Sequence, residues 1–180
     1  IIQPEEMTVT LTHFGFAKRT SMDTYKAQNR GGRGITGQTT REEDFVEHLF
    51  GCNTHDEIMF FTNMGRVFRM KCYRIPEAGR TAKGTAIVNL LNLKEGEKVT
   101  TLFPLWEEGK YLNLITKAGI IKKTSIEEFD NIRKGGMIAQ NLRDGDELIA
   151  AIMTDGSDEI IVGTRTVSYT HLRAHETSAH

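Results

Sequence analysis

The chain of 180 residues lacks the features of membrane proteins and secreted proteins. It has no apolar run of the roughly 18 residues that a membrane-spanning helix requires. Residues 1–6 have neither a basic start nor an apolar core, so we expect no signal peptide and interpret this segment as the end of a linker. These absences predict a soluble cytoplasmic protein without a membrane partner.

Cysteine and catalytic motifs are also scarce. The two cysteines, Cys52 and Cys72, lie outside any CxxC pair, which favours buried free thiols over a disulfide or a metal site. The chain has no Walker-type phosphate loop. With 38% hydrophobic and 26% charged residues, its composition is that of an ordinary globular protein. We therefore expect a folded domain without catalytic residues and without a cofactor of its own.

A Thr-x-x-Gly motif recurs along the chain with a period near 50 residues. Its three glycines, at intervals of 50 and 54 residues, are Gly15, Gly65 and Gly119. A second series follows in step, at intervals of 50 and 52 residues, and comprises Gly34, Gly84 and Gly136. Two series that stay in register over three copies predict repeated sheet units, either stacked or arranged radially.

Short runs rich in Val, Ile, Phe and Thr predict strands in every copy. Residues 41–49 alone resemble a helix that begins with a capping box at Thr40 and Glu43, but alignment with the other copies favours a strand. The predicted fold is therefore all-β, a propeller-like arrangement of four-stranded blades. The predicted strands are 7–12, 16–20, 45–50, 57–62, 66–71, 86–91, 98–103, 111–116, 120–124 and 148–153.

The net charge of −1 conceals an alternation of sign that follows the repeat. Residues 18–41 and 66–83 each hold six Lys or Arg against one acid, and residues 117–134 hold five against three, while the segments between them are acidic. If the repeats lie side by side, the basic segments share one edge. Such a basic stripe is typical of a surface that contacts nucleic-acid phosphates. The alternative is a mixed-sign surface that only maintains solubility.

The chain contains one basic, glycine-rich heptad, with the sequence Gln28-Asn29-Arg30-Gly31-Gly32-Arg33-Gly34. Glycine permits positive φ and a close approach of the backbone, and arginine offers a planar fork of donors that suits phosphate. The heptad therefore predicts a loop that binds a polyanion. Taken alone, it is also compatible with a flexible basic turn.

The heptad and its surroundings resemble the C-terminal domain of DNA gyrase A subunits. The resemblance covers nearly all of residues 1–166, including Asn53-Thr54-His55-Asp56, Ile87-Val88-Asn89-Leu90-Leu91 and Asp144-Gly145-Asp146-Glu147-Leu148-Ile149. Asn29 stands where the family usually has a basic residue, and we expect a weaker grip on DNA as the consequence. The near-intact heptad favours gyrase over topoisomerase IV, in which the heptad is degenerate or absent.

This resemblance implies a six-bladed β-pinwheel that wraps duplex DNA around a basic perimeter, so that ATP-driven strand passage introduces negative supercoils. It also implies partners, namely the B subunit together with the rest of the A subunit in a nucleoid-associated heterotetramer, with ATP and Mg²⁺ used on other domains. The resemblance and the charge pattern together predict DNA contacts at Gln28, Arg30, Gly31, Gly32, Arg33, Gly34, Lys18, Arg19, Lys26, Arg66, Arg69, Lys71, Arg74, Arg80, Lys83, Lys122, Lys123, Arg133 and Lys134.

The repeat register ends at Val167, where the fourth copy of the motif should have glycine. From there the sequence resembles translated adapter or vector read-through, so we expect a non-native tail. Six blades need about 300 residues at this period, so we expect an open arc of about three blades. The predicted divisions are a linker end at 1–6, blades at 7–55, 56–109 and 110–156, the first strand of a fourth blade at 157–166, and the tail at 167–180.

Three other functions fit parts of the sequence. A topoisomerase IV pinwheel is the near alternative, and the parent enzyme's ability to supercoil DNA separates the two. A propeller that serves as a protein-interaction scaffold would explain the blades but not the heptad. A propeller enzyme would need convergent acids or metal ligands, and the acids of this chain show no such spacing.

Overall fold

The structure is a computed structural model that describes residues 1–23 and 43–157, together with the backbone of strands at residues 159–163, 169–173 and 178–179. Lys26 and the heptad at residues 28–34 lie outside the described residues. No helix within the described ranges is long and apolar enough to cross a membrane.

The described residues form β-strands joined by turns and short 3-10 helices, which confirms the all-β prediction. The 3-10 helices are Cys72–Arg74, Ile87–Asn89 and Ile126–Phe129. The strands are β1 (Glu6–Thr12), β2 (Phe16–Ser21), β3 (Val46–Asn53), β4 (Glu57–Thr62), β5 (Arg66–Lys71), β6 (Thr85–Ala86), β7 (Val99–Pro104), β8 (Tyr111–Thr116), β9 (Ile121–Ser125), β10 (Met137–Ile138), β11 (Leu148–Thr154), β12 (Glu159–Gly163), β13 (Tyr169–Arg173) and β14 (Ser178–Ala179).

Three four-stranded sheets share one plan. Their strand orders are β3-β1-β2-β6, β7-β4-β5-β10 and β11-β8-β9-β14, and β12 pairs separately with β13. In each sheet two hairpin strands lie at the centre, an outer strand covers one side, and a short strand from further along the chain covers the other. The common order confirms the repeat that the glycine series predicted.

The short fourth strand pairs with the first residues of the second hairpin strand in all three sheets. The first two sheets have the same register, in which Ala17 pairs with Thr85 and Val67 with Met137, whereas in the third sheet the pairing lies one residue further along, with Ile121 opposite Ala179. An unpaired strand edge is a template for association with another chain. The borrowed strand therefore protects the second hairpin strand of each sheet over its first residues.

The first hairpin strand of each sheet is buried on both faces. In β1 both the apolar residues Met7, Val9 and Leu11 and the alternate Thr residues are buried. Strands β4 and β8 show the same pattern. Because successive side chains point to opposite faces of a strand, burial of every position means that both sheet faces are covered. In β4 this burial coincides with a continuous apolar run, whereas β1 buries Thr residues and β8 buries Asn113 between their apolar residues.

The described chain divides into two compact units. The first consists of Ile1–Met59, Arg69–Gly96 and Leu102–Pro104, and it contains the whole of the first sheet. The second consists of Phe60–Phe68, Glu97–Thr101 and Leu105–His180, and it contains the third sheet and the β12–β13 pair. The strands of the second sheet are shared between the units.

Most predicted strands agree with the structure, but the strand predicted at residues 86–91 is wrong. Only Thr85–Ala86 is extended, and a 3-10 helix at Ile87–Asn89 follows. The Ile87 N–H donates to the carbonyl of Gly15 at 2.7 Å, and the N–H groups of Leu90 and Leu91 then turn back to the Ile87 carbonyl. The short strand also belongs to the first sheet instead of the second. Strand β10 was not predicted, because two residues are too few to give a pattern.

Both cysteines are buried and free, as the sequence predicted. Their sulfur atoms lie 3.3 Å apart, and the Cys52 thiol donates a hydrogen bond to Cys72. This hydrogen bond is the main cause that raises the pKa of Cys52, and burial is the second cause. The same hydrogen bond lowers the pKa of Cys72, which accepts it.

Candidate nucleic-acid interface

The Thr-x-x-Gly motif forms the same tight turn in each sheet. The glycine N–H donates to the threonine carbonyl at 3.0 Å in all three copies, at Gly15, Gly65 and Gly119. The glycine φ angles are 89°, 78° and 89°, a left-handed conformation that side chains rarely adopt. The threonine hydroxyl then accepts the N–H of the residue after the glycine, at 3.0, 3.3 and 3.1 Å. Each turn thereby reverses the chain, so that the basic strand β2, β5 or β9 runs beside the buried first strand of its sheet.

A carboxylate anchors two of these turns. Burial alone would raise the pKa of Asp44, but hydrogen bonds from the Thr12 hydroxyl and from the backbone of Phe14 and Phe45 lower it below its ordinary value. Asp146 occupies the matching place in the third sheet. Burial opposes the charge there too, but hydrogen bonds from a threonine hydroxyl and two backbone N–H groups, together with a nearby arginine, lower its pKa.

The second sheet uses a buried ion pair instead. The Thr62 hydroxyl donates to Oε2 of Glu97 at 2.7 Å, and Nη1 of Arg66 donates to Oε1 at 2.7 Å. The Glu97 side chain is 0% exposed and that of Arg66 is 12% exposed. The other guanidinium edge of Arg66 donates to the Gly135 carbonyl. Arg66, a predicted DNA contact, therefore directs its donors to the protein.

Several other predicted contacts also have partners within the protein. Nε of Arg19 donates to the Ile75 carbonyl at 2.6 Å, and Arg19 lies 3.6 Å from Glu77. Glu57 accepts from Arg69 at 3.2 Å and lies 3.4 Å from the ammonium of Lys71.

Two lysines complete this group. The Lys123 ammonium lies 3.9 Å from the ring centroid of Tyr111, and burial lowers the pKa of this lysine. The Lys18 ammonium donates to three backbone carbonyls.

The remaining described candidates are at least partly exposed, and they are called the outward cations below. Arg74, Lys83, Arg133 and Lys134 are exposed, and Arg80 and Lys122 are half-buried. No described residue forms an ion pair with any of the six. Cations of this kind can approach a phosphate without breaking an internal ion pair.

Four of the outward cations lie on two loops that occupy the same place in the repeat. Residues 79–84 lead into β6 and carry Arg80 and Lys83, and residues 132–136 lead into β10 and carry Arg133 and Lys134. Each loop ends in a glycine with positive φ, at 95° and 73°. At Gly84 a Cβ atom would lie 2.6 Å from the Ala17 carbonyl oxygen, so only glycine fits.

The sequence places the heptad at the corresponding point of the first repeat. Its last residue, Gly34, belongs to the same glycine series as Gly84 and Gly136. The structure of the heptad is outside the described residues, so its contacts stay a prediction. The described loops are its counterparts in the later repeats, and both expose basic side chains.

Sequence reasoning missed the aromatic and carbonyl partners of the basic residues. Phe16 lies under the Lys83 ammonium, 4.1 Å from its ring centroid. The position of Phe16 directly after the turn glycine could have indicated this contact, because that end of the second hairpin strand pairs with the short fourth strand. The backbone carbonyls that bind Lys18 leave no signal in side-chain identity.

A family model described as the DNA gyrase C-terminal domain, beta-propeller, matches residues 6–53, 56–105 and 110–155. The chain belongs to this family. The match covers nearly all of the three four-stranded sheets and includes both described loops. The resemblance inferred from the heptad and its surroundings is thereby confirmed.

Individual relatives agree. The DNA gyrase A subunit of Halalkalibacterium halodurans is 50% identical over 179 residues, which cover 98% of this chain and 21% of that protein. A solved DNA gyrase A C-terminal domain superposes with a TM-score of 0.66 at 27% identity, covering 93% of this chain and 54% of that one. A solved C-terminal domain of DNA topoisomerase IV gives 0.73 at 25% identity, covering 91% and 50%. The chain spans about a fifth of the length of the curated relatives it matches.

Proposed function

We propose that this chain is the DNA-binding and DNA-wrapping part of a gyrase A subunit. The observation that carries the proposal is the recurrence of one loop in the repeat, preceding β6 and β10, with outward cations each time. Family membership supports duplex DNA as the ligand. The loops, together with the heptad at the equivalent position, contact successive phosphates of one duplex.

These contacts act through charge and position, not through base sequence. Lysine and arginine on glycine-terminated loops reach phosphates, and each phosphate neutralised adds about 0.9 to the slope of log K against log salt. Bending a duplex costs energy that well-placed contacts offset. Binding along several loops therefore favours a curved path, which in the parent enzyme presents a crossover to the strand-passing core and yields negative supercoils.

The parent is a type II topoisomerase, in which A and B subunits form a cytoplasmic, nucleoid-associated heterotetramer. ATP hydrolysis, Mg²⁺ and the DNA-cleaving tyrosine belong to other domains of that assembly. This chain binds the DNA and curves its path, and it takes no part in the covalent chemistry.

The proposal is tested first with the chain itself, by fluorescence anisotropy of a labelled duplex at several salt concentrations. Replacing Arg80 and Lys83 by Met is expected to lower the salt slope by about 1.8, which corresponds to two phosphates. The control is Lys110→Met, which removes an exposed cation outside both loops and leaves the slope unchanged. A wild-type chain that does not bind duplex DNA refutes the proposal.

The heptad is tested in the parent enzyme. Arg30→Ala with Arg33→Ala is expected to abolish ATP-driven negative supercoiling while relaxation and decatenation continue, because strand cleavage occurs in another domain. A gel series on relaxed and supercoiled plasmid measures all three activities. Normal supercoiling by this variant contradicts the role given to the heptad, and equal loss of all activities points to misfolding.

A topoisomerase IV pinwheel is the second candidate. It is favoured by the higher TM-score of the solved topoisomerase IV domain, 0.73 against 0.66 for the gyrase domain. The higher sequence identity to gyrase A subunits favours gyrase. A parent enzyme that relaxes and decatenates DNA but never supercoils it would select the second candidate.

A further inference from the structure

The Lys18 ammonium is saturated by a single loop of its own protein. Its Nζ donates to the carbonyl oxygens of Gly79 at 3.1 Å, Arg80 at 2.8 Å and Ala82 at 2.9 Å. An ammonium has three protons to donate. No donor remains for a DNA phosphate while these bonds persist.

The arrangement matches an ammonium better than any other side-chain cation. Three carbonyls of one loop converge on one point, and a compact charge with three rotatable donors satisfies all of them. A planar guanidinium directs its donors outward in a fixed fork and cannot reproduce this convergence. Without a cation, the three carbonyl dipoles would face one another around a vacant centre.

The same loop carries two of the outward cations. Arg80 is half-buried and Lys83 is exposed, with the Lys83 ammonium 4.1 Å from the Phe16 ring centroid. Phe16 and Lys18 lie two residues apart on β2, so both project from one face of that strand. This face of β2 therefore supports the loop at two points, through an aromatic ring and through an ammonium.

Lys18 also occupies an electrostatically unfavourable place. Burial is the main reason that its pKa is lowered, and the nearby charge of Arg80 lowers it further. The three carbonyl bonds explain why the ammonium is held there.

We infer that Lys18 is a positioning residue, which orders loop 79–84 so that Arg80 and Lys83 meet DNA phosphates, and that it does not contact DNA itself. This inference rests on the proposed function. It separates Lys18 from the outward cations, with which the sequence had grouped it.

A double-mutant cycle on this chain tests the inference, because coupled residues give non-additive effects. Duplex binding is measured against salt for Lys18→Met, for Arg80→Met with Lys83→Met, and for the triple variant. We expect Lys18→Met alone to lower the salt slope by about 1.8 and to add nothing in the triple variant. A loss of about 0.9 in both backgrounds shows direct phosphate contact and overturns the inference.

A charge-preserving variant supplies the second arm. Lys18→Arg keeps the positive charge and would serve a direct phosphate contact at least as well. If Lys18 positions the loop, the arginine variant instead loses binding as Lys18→Met does, and amide exchange at residues 80–84 becomes faster in both variants without DNA. Wild-type binding and unchanged exchange in Lys18→Arg would overturn the inference.

Two controls separate the causes of failure. Circular dichroism at the assay temperature must show the same folded signal for wild type and Lys18→Arg, with a melting midpoint well above that temperature in both, which shows that any loss is local to the loop. If the wild-type chain does not bind duplex DNA, the proposed function fails and the inference fails with it. If the wild type binds and the cycle is additive, only the inference about Lys18 fails.

Discussion

Removal of the Arg66 guanidinium is expected to destabilise the second unit strongly. The side chain of Glu97 is completely buried, and its Oε1 lies 2.7 Å from Nη1 of Arg66, so Arg66→Met removes a cation from a buried carboxylate. Breaking a buried ion pair in this way typically costs about 3–5 kcal/mol. Because Arg66 is 12% exposed, we place the cost near the lower limit, at about 3 kcal/mol.

The second sheet provides a matched control. Arg69 forms a comparable pair with Glu57 at 3.2 Å, but the two side chains are 23% and 27% exposed. Such a pair near the surface contributes about 1 kcal/mol or less. Arg69→Met should therefore lower the melting temperature by no more than about 4 °C, against about 6–12 °C for Arg66→Met, using about 2–4 °C per kcal/mol for a chain of this size.

The measurement is thermal and urea unfolding followed by circular dichroism on the wild type and both variants. A further variant, Arg66→Met with Glu97→Gln, removes the carboxylate charge while keeping an acceptor for Thr62, and it should recover part of the lost stability. Equal destabilisation by Arg66→Met and Arg69→Met, or a double variant weaker than Arg66→Met alone, would contradict the reasoning.

Three further predictions concern the turns and the thiols. Gly65→Ala should unfold at a much lower temperature than Gly119→Ala, because both turns have positive φ but only at Gly65 would the new Cβ clash with a backbone carbonyl. Asp146→Asn should be less stable than wild type above pH 3.8, the ordinary aspartate pKa. Urea unfolding at several pH values should show this difference in stability shrinking as the pH falls below 3.8 towards the lowered pKa of the folded carboxyl. The reason is that a lowered pKa contributes stability that is lost over that range. The two buried thiols should resist a disulfide reagent in the folded chain and react after denaturation; rapid reaction without denaturant would contradict their burial.

The sequence was sufficient to predict the strands in which nearly every residue is buried. β1, β4 and β8 are buried on both faces, and their Val, Ile, Leu, Phe, Met and Thr residues form compact segments that end at a Thr-x-x-Gly turn, which made them recognisable. At residues 86–91 a 3-10 helix and the turn after it bury Ile87 and Leu91, and the Ile87 N–H donates to the Gly15 carbonyl. Local composition is the same for either outcome, and only the tertiary hydrogen bond distinguishes them.

The candidate site was predictable in place but not in the role of each residue. Charge alternation located the basic segments, and the second glycine series located the loops. Whether a cation faces solvent depends on groups distant in sequence, such as Glu97 for Arg66 and the carbonyls of residues 79–82 for Lys18. Backbone carbonyls are present at every residue, so their convergence on one ammonium cannot be inferred from residue types.

The borrowed fourth strand has a consequence for how the chain is synthesised. Phe16 pairs with Ala86 and Arg66 pairs with Ile138, so a sheet cannot be completed until most of the following repeat has left the ribosome. During translation the most recently made hairpin therefore always presents an open edge. The sheets are therefore completed in order from the amino end, each about one repeat behind synthesis. A pause at a given codon leaves one particular incomplete sheet exposed to chaperones. Arresting translation at successive lengths and probing the nascent chain with protease would reveal protection advancing in steps of one repeat.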